Sequence, residues 1–128
     1  MGFAYSDPVM DGAIIQEAAE IALRNRTGAK EVLEVVSSVS VPSLVMSYWN
    51  PIERYGVKQF TEALASAGGV GVITPDLTIE ESGDWIEETE RNDLHHVYVV
   101  APSTDDSRLA KVAGKCSGFV YAASLMGV

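Results

Sequence analysis

One cysteine, Cys116, stands in 128 residues, so no intrachain disulfide can form. Basic side chains are scarce: 9 Lys and Arg face 18 Asp and Glu, for a net charge of -9. A field of that sign repels nucleic-acid phosphates and anionic lipid, which excludes nucleic acid and a charged membrane surface as expected partners. Long apolar runs are also missing. The longest, such as Val97 to Pro102, are strand-sized and far short of the roughly 20 residues that span a bilayer. No basic, apolar leader opens the chain, and the resulting expectation is a cytoplasmic protein. Hydrophobic residues make up 47% and charged ones 21%, which sets aside disorder, collagen-like repeats and low complexity. At 13.7 kDa the expectation is a single domain, 1–128, around one core.

Four apolar, β-branched or aromatic runs are present: Leu44 to Tyr48, Val70 to Ile73, Val97 to Val100 and Phe119 to Ala122. Their starts are 26, 27 and 22 residues apart, and each gap holds a segment of helical spacing. Nearly continuous strand hydrophobicity belongs to a parallel sheet covered by helices. Before the first full strand come two helical stripes, Ile14, Ile15, Ala18, Ile21, Ala22 and then Val32, Leu33, Val35, Val36, Val39, separated at Thr27-Gly28. Phe60, Ala63, Leu64 and Ala67 form a third stripe, ended by Gly68-Gly69. Ile79 to Arg91 reads as a fourth helix with Trp85 and Ile86 on its apolar side. Ser103 to Asp106 offers caps for a last helix carrying Leu109, Val112 and Ala113. The fold class expected is α/β, a partial (βα) TIM-type barrel of about four parallel strands, with the tail of a fifth at Met1 to Phe3. A closed eight-unit barrel takes about 250 residues. Three arrangements stay open: an open sheet, a sheet completed by two chains, or a section of a longer protein. Uncovered strand faces and edges predict a fold less stable than a full barrel and prone to self-association.

Working residues of βα folds sit in the loops after strands. Those loops are Tyr5 to Gly12, Tyr48-Trp49-Asn50-Pro51, Thr74 to Leu77, Ala101-Pro102-Ser103 and Ala122 to Gly127. The first carries two aspartates, Asp7 before Pro8 and Asp11 before Gly12, which composition alone assigns to turns. Asp11 with Asp76 is the acid–base pair that an unrelated βα enzyme would have available.

Tyr5-Ser6-Asp7-Pro8-Val9-Met10-Asp11-Gly12, Met46-Ser47-Tyr48-Trp49-Asn50-Pro51 with Arg54-Tyr55-Gly56, Ile73-Thr74-Pro75-Asp76-Leu77, and Phe119-Val120-Tyr121-Ala122-Ala123-Ser124 with Met126-Gly127-Val128 together resemble the tryptophan synthase alpha subunit family, in the family's order. The resemblance covers essentially the whole chain and about half of a family member, from the second-strand loop to the sixth strand. It implies a βα barrel that cleaves indole-3-glycerol phosphate to indole and glyceraldehyde 3-phosphate. Indole then passes to a beta subunit, which carries the pyridoxal phosphate, so no cofactor is expected in this chain. The resemblance places Asp11 on the indole nitrogen as the catalytic carboxylate, and a second catalytic group, a glutamate, on a strand before Met1. Met46, Tyr48, Pro75, Val99 and Tyr121 match residues lining the indole pocket. Asp7, Pro8, Val9, Asn50, Pro51 and Asp76 match the surface that meets the beta subunit. The family's Thr-Gly and phosphate-holding loops of the seventh and eighth strands would follow Val128. Without the glutamate and those loops, the alternative is a non-catalytic part-barrel that self-associates or only binds the beta subunit. Ala4, Ala13 and Thr78 stand where the family usually has proline, which loosens those loops.

The other chemistry-bearing residues read as structural. Gly69-Val70-Gly71 lacks the rest of a dinucleotide fingerprint. His95 and His96 are adjacent at a strand entrance, point to opposite faces, and are expected to be solvated rather than to bind metal. Cys116 is expected as a small buried residue near a helix end. Glu80, Glu81, Asp84, Glu87, Glu88 and Glu90 form a wet helix face.

Overall fold

Strand–helix alternation leaves each strand's partner running the same way, and that is what forms. In the computed structural model, which describes residues 1–124, the order is α1 (Ala13–Arg24), α2 (Ala29–Ser38), β1 (Leu44–Met46), α3 (Trp49–Tyr55), α4 (Val57–Ser66), β2 (Gly71–Thr74), a 3-10 turn (Ile79–Glu81), α5 (Gly83–Arg91), β3 (His95–Val100), α6 (Asp106–Lys115) and β4 (Tyr121–Ala122). The sheet runs β1-β2-β3-β4, every pair parallel. Gly2 bridges Met46 on the outer edge of β1, so the opening residues pair there as a single bridge rather than a strand. The result is a half-barrel of four parallel strands and six helices. The motif Met126-Gly127-Val128 lies outside the described residues.

Register divides the strands into two faces. Val45, Val72, His96, Tyr98 and Val100 point to the helices, and all are buried. With Val32 and Val36 of α2, Ile52 of α3, Phe60 and Leu64 of α4, Trp85 of α5 and Val112 of α6, the apolar members of that set form the core cluster. Met46, Ile73, Val97, Val99 and Tyr121 take the opposite parity and point away from it. Of these, Val97 at the middle of the sheet is fully buried, Met46, Ile73 and Val99 are half-buried and Tyr121 is exposed. The helices cover one face, as they do where the other side of the strands lines a barrel interior.

Several local expectations also change. Tyr48 to Pro51, read as a loop, leads straight into α3. Pro51 is the third helical residue, where its missing N–H costs nothing because the first turn's N–H groups lack intrahelical acceptors. Gly56, at φ 102, breaks α3 from α4 in a left-handed conformation that suits glycine. The strand at Leu44 stops at Met46, the one read from Phe119 begins at Tyr121, and β3 starts two residues early at His95. The helix read from Ile79 is a 3-10 turn followed by α5. Gly68 follows α4 at φ 90, as the Gly-Gly stop implied. Asp105 caps α6, accepting the Arg108 N–H at 2.7 Å.

The paired histidines are not both solvated. His95 is exposed, but one residue on, His96 faces the helices at 3% exposure, with Nδ1 2.9 Å from Thr89 Oγ1 on α5. Cys116 is half-buried and has a partner: its Sγ accepts the Tyr98 N–H at 3.3 Å. The α1 stripe is not core. Ile14 is 81% and Ile15 56% exposed, and α1 buries no residue fully. Among the described residues no helix is long and apolar enough to cross a membrane.

Candidate functional site

Asp11 sits where the loop before α1 folds back over the end of β1. A tight turn, closed by Asp11 N–H donating to Pro8 O at 3.1 Å, sets its backbone. Gln16 on the first turn and a half of α1 donates to the Asp11 carbonyl at 2.7 Å and pins it further. The side chain is then aimed at Tyr48, the residue entering α3. Tyr48 Oη donates to Asp11 Oδ2 at 3.0 Å and accepts the Met10 N–H at 3.0 Å. Tyr48 is 6% exposed, and its ring lies 5.5 Å from that of Tyr5. Burial pushes the hydroxyl up to about 12; the Met10 N–H pulls the other way, and the bond to Asp11 adds to the rise. At neutral pH it therefore stays protonated and serves as a donor to Asp11.

These two groups stand on the wall of a cavity of about 280 Å³. Met46 and Pro75 line it as well, so four of the residues singled out from sequence come together: Asp11, Met46, Tyr48 and Pro75. The remaining wall is largely apolar, with Phe3 and Tyr5 on one side and Ile15, Ala18 and Ala22 of α1 on the other. Those α1 residues were read as core stripe. They line the cavity because alanine side chains leave space between α1 and the end of β1.

Val99 and Tyr121 do not join this cavity. They share its sheet face but lie two and three strands from β1, roughly 10 and 14 Å away at ordinary strand spacing. Val99 lines a smaller cavity of about 140 Å³ together with Pro75, Asp76 and Arg108. The Glu80–Arg108 ion pair closes the loop after β2 onto α6 beside it, and the Arg108 guanidinium holds the exposed Glu80 carboxyl down to about 2.

Asp7 and Val9 are exposed and Pro8 half-buried on the first loop; Asn50 is exposed and Pro51 half-buried on α3. Asp76, beyond β2, accepts the Trp49 N–H through Oδ1 at 2.8 Å. Crowding by protein raises the Asp76 pKa above the ordinary aspartate value, against the lowering effect of the Trp49 N–H. Asp11 and Asp76 thus touch opposite ends of the Tyr48–Trp49 step rather than facing each other. Among the described residues no three His, Cys, Asp or Glu side chains gather as metal ligands.

Parallel βα units with a carboxylate and a tyrosine gathered over a strand's C-terminal end define a protein of the βα-barrel class. Comparison with known proteins narrows this. The family model described as tryptophan synthase alpha chain matches residues 1–128, and the chain belongs to that family. It is 54% identical over 131 residues to the tryptophan synthase alpha chain of Thermobifida fusca strain YX, covering 100% of this chain and 48% of that one. The Streptomyces avermitilis alpha chain is 52% identical over 132 residues, with 100% and 48% covered. Among solved structures, Mycobacterium tuberculosis tryptophan synthase superposes with a TM-score of 0.96 at 46% identity, over 99% of this chain and 51% of that one. A Pyrococcus furiosus tryptophan synthase alpha subunit superposes with a TM-score of 0.90 at 33% identity, over 94% and 51%. The chain spans about half the length of the curated relatives it matches.

Proposed function

We propose that this chain supplies the indole-recognising section of a lyase of tryptophan biosynthesis, one that cleaves indole-3-glycerol phosphate to indole and glyceraldehyde 3-phosphate. Breaking that carbon–carbon bond requires a proton to reach the departing indole carbon, while the glycerol hydroxyl loses one and becomes the aldehyde. Positive charge develops at the ring nitrogen on the way. A carboxylate on the ring N–H stabilises that charge where it forms. The observation carrying the reading is the Tyr48 Oη to Asp11 Oδ2 bond of 3.0 Å at the wall of an apolar cavity. Tyr48 occupies one oxygen of Asp11 and leaves the other for the indole N–H, while Met46, Tyr5 and Pro75 offer apolar surface to the ring. Val99 and Tyr121 extend the same sheet face toward the rest of the substrate.

In this reading the exposed loop residues Asp7, Val9 and Asn50, with Pro8, Pro51 and Asp76, face a beta subunit that receives indole and holds the pyridoxal phosphate. The reaction takes place in the cytoplasm. Asp11 is one of the two groups the chemistry needs, so the 128 residues alone are expected to bind indole without turning over indole-3-glycerol phosphate above background.

Indole titrated into the purified chain, followed by ligand-observed NMR, tests the reading. Saturable binding that Asp11→Asn weakens roughly tenfold or more, the scale of one charge-assisted hydrogen bond, is expected. Absence of binding by a folded chain, or equal binding by the variant, overturns it.

A further inference from the structure

The sheet ladder between β1 and β2 ends one step after Met46, with Ser47 N–H donating to Ile73 O at 3.1 Å. Met46 and Ile73 are register partners, and three residues beyond each stand Trp49 and Asp76. Their 2.8 Å bond from the Trp49 N–H to Asp76 Oδ1 therefore continues the cross-strand tie past the end of the sheet. It does so with a carboxylate in place of a carbonyl, and such a bond is roughly twice as strong as a neutral one. Trp49 is the first residue of α3, whose leading N–H groups have no acceptor within the helix. The Trp49 ring is gripped separately, edge-on to buried Trp85 at 5.4 Å. One peptide away, Tyr48 makes the two bonds that hold Met10 and Asp11.

We infer that Asp76 is a positioning residue for the Asp11–Tyr48 pair: it fixes the start of α3 and thereby the point from which Tyr48 reaches Asp11. The inference rests on the reading of the Asp11 cavity as the indole site. It concerns a bond on the far side of the Tyr48–Trp49 peptide from that cavity, made by a residue that does not line it. Displacement of the Trp49 nitrogen shifts Tyr48 Oη, and with it the orientation of the Asp11 carboxylate. Small misplacements of this kind are costly where geometry sets recognition.

The test compares Asp76→Ala with Asp76→Asn, whose amide oxygen still accepts the Trp49 N–H. In the 128-residue chain, NMR of the Trp49 amide, the Tyr48 ring and the Asp11 carboxyl carbon reports the linkage, and indole titration reports its consequence. With D76A, all three signals are expected to move and indole binding to weaken roughly tenfold, while D76N restores binding to within about threefold. In a Tyr48→Phe background, D76A is expected to add nothing further to the loss, because the route through the hydroxyl is already cut. Unmoved Tyr48 and Asp11 signals in D76A, no rescue by D76N, or full additivity with Y48F each overturn the inference. If D76A does not fold, Asp76→Leu decides, since it fills the same space without an acceptor: the Trp49 amide moves, and Tyr48 and Asp11 signals that stay fixed overturn the proposal. Failure of the wild-type chain to bind indole sinks the indole reading instead, and the NMR linkage still decides the role of Asp76.

Discussion

Two faces of one short sheet, built from alternating residues of the same strands, differ in what they do. Toward the helices, Val45, Val72, Tyr98 and Val100 are packed against α2 through α6 and hold the fold. On the other face Val97 is fully buried but Met46, Ile73 and Val99 are only half-buried, and Met46 opens onto the cavity that holds Asp11 and Tyr48. The difference teaches that most of the packing and the proposed indole surface fall on opposite strand parities, one residue apart along the chain, with Val97 the buried exception on the cavity side. A substitution on one face should therefore leave the other face's property nearly untouched, since effects at sites without shared partners add.

The sharpest way to break this division is Trp85→Ala. Trp85 is 1% exposed beneath the sheet's helix side and meets Trp49 edge-on. Its truncation should cost about 3–5 kcal/mol, a large share of the roughly 5–15 kcal/mol that holds a domain of this size. Calorimetry should show the melting temperature lowered by roughly 10–20 °C. On the opposite face, Val99→Ala removes a half-buried side chain and should cost under about 1 kcal/mol. Equal losses from the two substitutions would mean that the open face carries core weight, and the division fails.

How far the sequence revealed these two faces differs as well. The βα alternation was legible because buried parallel strands write continuous apolar runs and because Gly68 marks a helix end. Parity was not: with nearly every strand residue apolar, nothing in Val97 to Val100 says which side the helices take. His96 was misread for the same reason, since a polar residue at a strand's start resembles a solvated one until Thr89 of α5 is found beside it. The helix α3 was hidden by Pro51, a residue that reads as a turn and is harmless in a first helical turn. At the candidate site, the Asp7-Pro8 and Asp11-Gly12 spacing drew attention to the loop whose Asp11 lines the cavity. The bond from Tyr48 to Asp11 joins residues 37 positions apart, and no local pattern encodes it. The resemblance to a family brought those two residues into view together, and the structure supplied their contact.

Acid sharpens the comparison further, because the helix-covered face contains a titratable group. Burial lowers the His96 pKa, against the raising effect of its bond to the backbone near Lys115. The unfolded chain, with His near 6.5, then binds more protons than the folded one just below that pH. Stability conferred by a neutral His96 is complete above about 6.5 and declines as pH falls from there toward the depressed folded value. Urea unfolding at a series of pH values should show this slope in the wild type and its loss in His96→Gln. The difference between the two curves cancels contributions from Asp76 and the other carboxylates. A slope that survives unchanged in H96Q would place the acid sensitivity elsewhere.

The smallest effect belongs to neither face but to the rim that joins neighbouring βα units. Arg108 of α6 holds Glu80 of the turn after β2, with a second contact from Nη2 to Oε2 at 2.9 Å. Both groups are exposed, so solvent and salt screen most of their attraction. Because Arg108 keeps Glu80 ionised down to about 2, well below its ordinary value, the pair's contribution is present above about 4.5 and is lost as pH falls toward 2. Glu80→Gln should move the melting point by no more than about 2 °C at neutral pH and low salt. At 1 M salt, where the screening length is about 3 Å, the difference should vanish. A shift as large as that of Trp85→Ala would show that the rim, rather than the helix-covered face, holds the units together.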